Sequence, residues 1–467
     1  MKLKKVQITN FRCFESLDVP LQPDVNVFVG INGAGKSSIL DAIAIALYDI
    51  VAANGGGGKR ERKKQGVTLT PADIHISPET RDAVKGRKDF VQVATQACDF
   101  YEVPGFSSRT NTGMERRIEW TERIRYTPPF DFSYDTQKAE TLSSIYDYFS
   151  ALWQELKKSE ATALIPLPVV AYYRADRRLR EMPDLGDIFK LRFERSGAFK
   201  DALNAGADYQ AMCQWFYLRE NSELREKLQV REDRSFEFSD LRAIRTAIIS
   251  SLEHVGSVTF KDNPPSMVIT LEPENGPLQE LDIEQLSDGY RNLLALILDF
   301  ARRLAQAHPG WENPLKAPGI LMIDEIELHL HPGWQQRIIP DLRTVFPNTQ
   351  LIIATHSPQV LTTVKREQVH FLTADHTLEP LPDDVGTYGA ESGHVLEAVF
   401  GVQTRPRTVE TVRKLQDYLH LIENRQGRTQ NALALRAELE RAVGSSDPAL
   451  LTADMRIRQI EILGKKR

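Results

Sequence analysis

The stretch Val27–Ile39, VFVGINGAGKSSI, constrains the fold of this chain more than any other. Val27, Phe28 and Val29 read as the end of a buried strand. Gly30-Ile31-Asn32-Gly33-Ala34-Gly35-Lys36-Ser37 is a G-x-x-x-x-G-K-S loop, and Ile39, Leu40, Ile43 and Leu47 give the next segment an apolar helical face. Strand, glycine loop and helix in that order form a phosphate-binding unit. Glycines let the backbone wrap a phosphate, and the helix N-terminus adds partial positive charge. Lys36 is predicted to reach the β- and γ-phosphates of a nucleotide and Ser37 to offer its hydroxyl to Mg²⁺.

Two further apolar runs end in polar chemistry. Gly319-Ile320-Leu321-Met322-Ile323 leads to Asp324-Glu325, and Leu351-Ile352-Ile353-Ala354-Thr355 leads to His356-Ser357-Pro358. Ligands of open α/β sheets bind at such C-terminal strand ends. Asp324 is expected to bind Mg²⁺, directly or through water, and Glu325 to orient or deprotonate the attacking water. Upstream, Leu286-Ser287-Asp288-Gly289-Tyr290-Arg291 opens a helix over Asn292–Leu304, so Ser287 and Gly289 mark a second anion-binding terminus.

Between these anchors the pattern is mixed. Residues 67–130 read mostly as strands, Phe90–Ala94 and Arg117–Ile124 among them, which predicts an antiparallel sheet. Leu142–Lys157 reads as a helix and Pro168–Arg174 as a buried strand. Residues 185–255 are helical and polar, with Asp208–Arg219 and Phe238–Leu252 as helices and Ser239 as the expected N-cap. Strands return at Val258–Phe260 and Met267–Leu271. Helices and buried strands then alternate from Leu286 to Leu372, as in a parallel sheet. The tail from Arg405 is helical, with Leu415, Leu419 and Ile422 on one face.

Charge and cysteine usage narrow the class. The formal charge of −5 excludes a uniformly basic nucleic-acid binder. The local cluster Lys59, Arg60, Arg62, Lys63 and Lys64 follows four glycines and has no aromatics to stack bases, so it reads as a solvated linker. Cys13, Cys98 and Cys213 form no C-x-x-C pair, which fits reduced thiols in a cytoplasmic protein. The N-terminus lacks an apolar signal core. The most apolar helix carries Asp41 and Asp49, so no membrane span is expected.

Taken in order, GINGAGKS, LSDGY, MIDE and ATHS resemble the Walker A, signature, Walker B and H-loop motifs of the ABC-type ATPase heads, in particular the SMC, RecF and OLD-like branch. ITNFRCF near the start is similar to that family's opening strand. The resemblance implies an α/β fold: a RecA-like mixed or parallel sheet with an antiparallel β-subdomain, a helical insertion and a helical C-terminal tail. It divides the chain into a first ATPase lobe (1–180), a helical insertion (181–255), a second lobe (256–385) and a helical C-terminal region (386–467). It implies ATP held by Asn32, Gly33, Gly35, Lys36, Ser37 and Ser38, with Mg²⁺ on Ser37 and Asp324 and with Glu325 and His356 catalytic. It also implies a head-to-tail homodimer in which Ser287 and Gly289 of one copy meet the ATP held by Lys36 of the other. The family's Q-loop glutamine stays open among Gln92, Gln96 and the turn at Asp73-Ile74. Glu327-Leu328-His329-Leu330-His331 is placed at the D-loop rather than at a metal site. His308 reads as an exposed loop residue. Tyr172, Tyr173 and Arg174 are read either as reaching the nucleotide or a subunit contact, or as packed aromatics with a surface arginine.

The insertion is too short for the long arm of SMC or Rad50. The tail lacks a strand ending in Asp-x-Asp, which the OLD nuclease module requires. The compact size, Val170–Arg174, and Gly386–Ala390 leading to Val399–Val402 resemble the Septu-type anti-phage ATPases and their retron-associated relatives. That resemblance implies an ATPase that senses and scaffolds while a partner HNH nuclease cuts, with DNA or retron nucleic acid as a further partner. The alternatives are a RecF-like ATPase that binds DNA itself and an OLD-like nuclease.

Overall fold

The computed structural model describes residues 1–56, 67–76, 90–103, 117–127, 131–133, 142–157, 165–175, 193–204, 209–230, 233–252, 254–262, 265–273 and 275–464. The basic cluster at 59–64 lies outside them.

Two compact units divide the chain, Met1–Ser392 and Gly393–Arg467. The first is built on a six-stranded sheet with the spatial order β14-β13-β3-β12-β11-β7. These strands are β3 (Val25–Gly30), β7 (Val169–Tyr173), β11 (Gly319–Ile323), β12 (Thr349–Ala354), β13 (Val369–Leu372) and β14 (Leu378–Glu379). All neighbours run parallel except the β13–β14 pair. Every residue of β3, β7, β11 and β12 is buried. That is why they read as unbroken apolar runs rather than alternating ones: parallel strands are covered on both faces.

A five-stranded antiparallel sheet, β2-β1-β4-β5-β6, adjoins it; the Gln350 side chain of β12 bonds both the N–H and the carbonyl of Leu3 at 2.8 Å. It contains β1 (Lys2–Phe11), β2 (Phe14–Pro20), β4 (Phe90–Cys98), β5 (Ile118–Thr127) and β6 (Asp131–Ser133). Helix α1 (Lys36–Val51) touches both sheets, and Trp120 on β5 donates its indole N–H to the Ala46 carbonyl at 2.7 Å. The run Lys36–Gly55 is long and apolar enough to cross a bilayer, yet 72% of an 18-residue stretch of it is buried inside the protein. Its apolarity reflects contact with two sheets, since a helix covered all round has no polar face to keep.

Helix α2 (Leu142–Leu156) precedes β7. Helices α3 (Tyr209–Arg225) and α4 (Ser239–Ser251) follow it and lead into a three-stranded antiparallel sheet, β10-β9-β8. Its strands are β8 (Val255–Asp262), β9 (Pro265–Leu271) and β10 (Gln279–Asp282). Arg245 of α4 ties the two helices through Glu220 and Glu223 of α3, each at 2.9 Å. Ser239 is the first residue of α4 rather than its cap; Phe238 holds the cap position. The Ser239 hydroxyl donates instead to the Trp311 carbonyl at 3.1 Å, a tertiary partner that outcompetes local capping.

Helix α5 (Asp288–Ala307) runs 20 residues and is mostly buried. His308 caps its C-terminus and is 1% exposed, against the sequence expectation of an exposed loop residue. Its Nε2 accepts the Leu167 N–H at 3.0 Å and its Nδ1 donates to the Leu304 carbonyl at 2.8 Å. The ring closes the helix end and caps the approach to β7 together.

In the second unit, α8 (Glu410–Glu423), α9 (Gln430–Val443) and α10 (Pro448–Gly464) follow α7 (Ser392–Phe400). Leu415, Tyr418, Ile422, Leu439 and Leu450 form the common core of α8, α9 and α10, with Leu419 partly buried against it. Helix α6 (Ile338–Val345) belongs to the first unit, between β11 and β12.

Candidate nucleotide and active site

Strand β3 ends at Gly30, where a Cβ would run into the Leu372 carbonyl of neighbouring β13. Only glycine fits so close an approach. The loop then crosses Asn32 and Gly33, both exposed, to Gly35, the N-cap of α1 at φ 111°. A side chain there would be left-handed and would strike Phe14 and Cys13 of the β1–β2 turn. His376 donates its Nδ1–H to the Ala34 carbonyl at 2.9 Å. The loop is therefore wedged between the β1–β2 turn and the β13–β14 hairpin.

The Lys36 ammonium donates to the Gly30 and Ile31 carbonyls at 3.0 and 3.1 Å. Burial lowers its pKa, and Asp324, Glu327 and Glu325 pull it back up. Ser37 is exposed beside it and Ser38 half-buried. The first-turn amides of α1 have no intrahelical acceptors, so they are available to an anion.

Strand β11 delivers Asp324, which is 6% exposed and donates its N–H to the Tyr173 carbonyl of β7 at 2.9 Å. Glu325 follows in a left-handed conformation, φ 47°. Such backbone costs a non-glycine residue of order 1 kcal/mol or more and collects at functional sites. The turn separates the two acids: Asp324 stays buried at the strand end while Glu325 is half-buried.

Strand β12 delivers Thr355 and His356. Burial lowers the His356 pKa and Lys36 lowers it further, opposed by Glu327, Glu325 and Asp324. Lys36, Asp324, Glu325 and His356 thus share one electrostatic neighbourhood at the C-terminal ends of β3, β11 and β12. A hydroxyl at Ser37 and a carboxylate at Asp324 are hard oxygen donors, the chemistry that suits Mg²⁺.

Ser287 and Gly289 open a different helix. The Ser287 hydroxyl accepts the Tyr290 N–H at 3.4 Å. A Cβ on Gly289 would strike the His329 carbonyl, and Tyr290 meets Trp334 edge-on at 4.2 Å. The start of α5 is packed against the segment that follows Glu327, and Ser287 itself is exposed.

Several pairings at this rim escape a reading of the sequence. Glu327 holds the Thr355–His356 corner at 2.7 and 2.6 Å. Asp41, one turn into α1, pairs with Arg12 at 2.7 Å and Arg174 at 3.2 Å and accepts the Tyr172 hydroxyl at 3.2 Å; Arg12 also pairs with Asp73 at 2.9 Å. Tyr173 is wholly buried and bonds Asp299 at 2.7 Å. Gln92 and Gln96 sit within β4, paired to β1 and β5, whereas the strand end beside Asp324 is that of β7. His331 caps the short helix Pro332–Gln335 by accepting the Gly333 N–H at 3.2 Å, and His329 is exposed at φ 65°. The D-loop resemblance marked the stretch that holds Glu327 but not its reach to Thr355 and His356; nothing local marks Asp41.

A family model described as an AAA domain, AAA_23, matches residues 5–304. The chain is 27% identical to the "Retron Ec83 probable ATPase" of Escherichia coli over an alignment of 498 residues, covering 98% of this chain and 87% of that protein. It is 24% identical to the "Retron Vc95 probable ATPase" of Vibrio cholerae serotype O1 biovar El Tor, covering 91% of this chain and 84% of that protein. The "Septu protein PtuA" of Bacillus thuringiensis is 28% identical over 160 residues, 32% of this chain and 40% of that protein. These matches bear out the family resemblance: the chain belongs to the AAA domain family AAA_23, with retron probable ATPases and a Septu protein PtuA among its relatives.

Proposed function

We propose that the protein hydrolyses ATP at a site completed by a second copy of itself, and that closure of this dimer governs a separate HNH nuclease in anti-phage defence. The observation that carries the reading is the gathering of Lys36, Asp324, Glu325 and His356 at three adjacent strand ends. Asn32, Gly33, Gly35, Lys36, Ser37 and Ser38 hold the triphosphate, through loop amides and the ammonium. Ser37 and Asp324 would hold Mg²⁺, which would neutralise phosphate charge when bound. Glu325, the half-buried acid that follows Asp324, orients the attacking water and takes its proton. His356, whose pKa burial and Lys36 lower, donates one ring N–H to a γ-phosphate oxygen. Ser287 and Gly289 act on the partner copy's nucleotide, for which the exposure of Ser287 is suited.

The defence role draws on the retron and Septu relatives, and the HNH partner on the family resemblance alone. A cytoplasmic location accompanies it.

The test is Glu325→Gln. It is expected to bind ATP as the parent does while turnover falls by at least about 100-fold, the scale of a lost general base. Unchanged turnover would remove Glu325 from the chemistry. An HNH nuclease encoded beside this chain should copurify with it. If the two do not associate with or without ATP, the partner claim fails and the ATPase claim stands.

A further inference from the structure

Both carboxylate oxygens of Glu327 are committed to the end of the neighbouring strand. Oε1 accepts the backbone N–H of His356 at 2.6 Å and Oε2 accepts the Thr355 hydroxyl at 2.7 Å. Thr355 Oγ1 in turn accepts the Ser357 N–H at 3.0 Å. The Ser357 hydroxyl donates to Gln335 Oε1 at 2.7 Å, and Gln335 Nε2 donates to the Leu330 carbonyl at 2.9 Å. Directly beneath, the Ile326 N–H meets the Ala354 carbonyl at 3.3 Å. The corner that bears His356 is thus clasped by the segment after Glu325 on two sides. Hydrogen bonds to an ionised acceptor are roughly twice as strong as neutral ones, so Glu327 is the strongest element of the clasp.

We propose that Glu327 is a positioning residue for His356: by gripping Thr355 and the His356 backbone it fixes the imidazole against Glu325 and Lys36. Phosphoryl transfer depends on placement, and a misplacement of about 1 Å can cost roughly 100-fold in rate. The proposal rests on the ATPase reading above. A carboxylate that only staples two strand ends would lower the melting temperature of the protein and leave the kinetics of each folded molecule unchanged.

Steady-state ATP turnover and nucleotide affinity of the full-length protein separate these roles. Glu327→Ala is expected to lose about 30- to 100-fold in kcat with ATP affinity within about threefold of the parent. Glu327→Gln places an amide oxygen on the His356 N–H and an NH₂ on Thr355 Oγ1, so it should recover turnover to within about fivefold of the parent. In protein labelled with ¹⁵N-histidine, the His356 amide proton should move upfield in Glu327→Ala and much less in Glu327→Gln. Should the alanine variant not fold, Thr355→Val removes one arm of the clasp and is expected to lose about tenfold in kcat with ATP affinity kept. Parent-like kcat in the alanine or valine variant overturns the proposal, and so does equal damage from alanine and glutamine. Glu325→Gln, run in parallel, reports on the underlying reading: if it turns over normally the site itself is wrong, whereas its loss beside a normal Glu327→Ala fails the positioning role alone.

Discussion

His308 and His370 set an acid limit on the fold. Burial pushes both pKa values down to about 4. His370 lies stacked on Phe28 at 4.8 Å and donates Nε2–H to Asn26 at 3.0 Å. Between about pH 6.5 and 4 the unfolded chain binds these protons and the folded chain does not. Stability from the pair is therefore complete above about pH 6.5 and is lost as pH falls towards 4, on the order of 3 kcal/mol for each ring. Denaturant melts across that range should show the slope, and His308→Gln should flatten it. At the phosphate loop, Lys36→Ala is expected to weaken ATP binding at least about tenfold, the effect of one lost charge-assisted contact; unchanged affinity in a titration would displace the loop from its role. Lys36 and Ser37 were legible because their motif is contiguous. His308 was misread because its partner, Leu167, lies 141 residues away. The reach of Glu327 to Thr355 spans 28 residues and was equally hidden.

Helix α5 carries Ser287 at its start and a buried charge cluster in its middle. Asp299 is wholly buried and meets Arg302 at 2.6 Å, Arg303 at 2.9 Å and the Tyr173 hydroxyl at 2.7 Å. Burial pushes the Asp299 pKa up, but Arg303 and Arg302 outweigh it and hold it at about 2. Arg303 also donates to the Ala198 and Lys200 carbonyls at 2.9 and 2.8 Å. Through Tyr173 helix α5 is tied to β7, whose end contacts Asp324. Asp299→Ala leaves two guanidinium groups without their carboxylate and is expected to cost about 3–5 kcal/mol. Tyr173→Phe removes one bond to a charged acceptor, about 1.5–3 kcal/mol. Chemical denaturation of both variants checks the order; equal stability would contradict the network. Strands β7, β11 and β12 were plain in the sequence as unbroken apolar runs. The Asp299–Arg303 pairing was not, because acid and base four apart on a helix look the same on a solvated face.

At the scale of the molecule, the antiparallel sheet, the parallel sheet and the helical tail were all readable as blocks. The phosphate loop's walls were not, since the β1–β2 turn and the β13–β14 hairpin come from opposite ends of the first unit. The second unit has its own core around Tyr418 and Ile422. A fragment of residues 393–467 is therefore expected to give a helical spectrum and a cooperative melt, and a broad, non-cooperative melt would show that its helices depend on the rest of the chain. The proposed ATP site is shared by two copies. It is tested most directly by mixing two variants, each inactive alone: Lys36→Ala, which lacks a working phosphate loop, and Ser287→Arg, which lacks a working signature. The mixed dimer contains one complete site, so ATP turnover should appear in the mixture and in neither variant alone. Full turnover by Ser287→Arg alone, or none in the mixture, would contradict a site completed in trans.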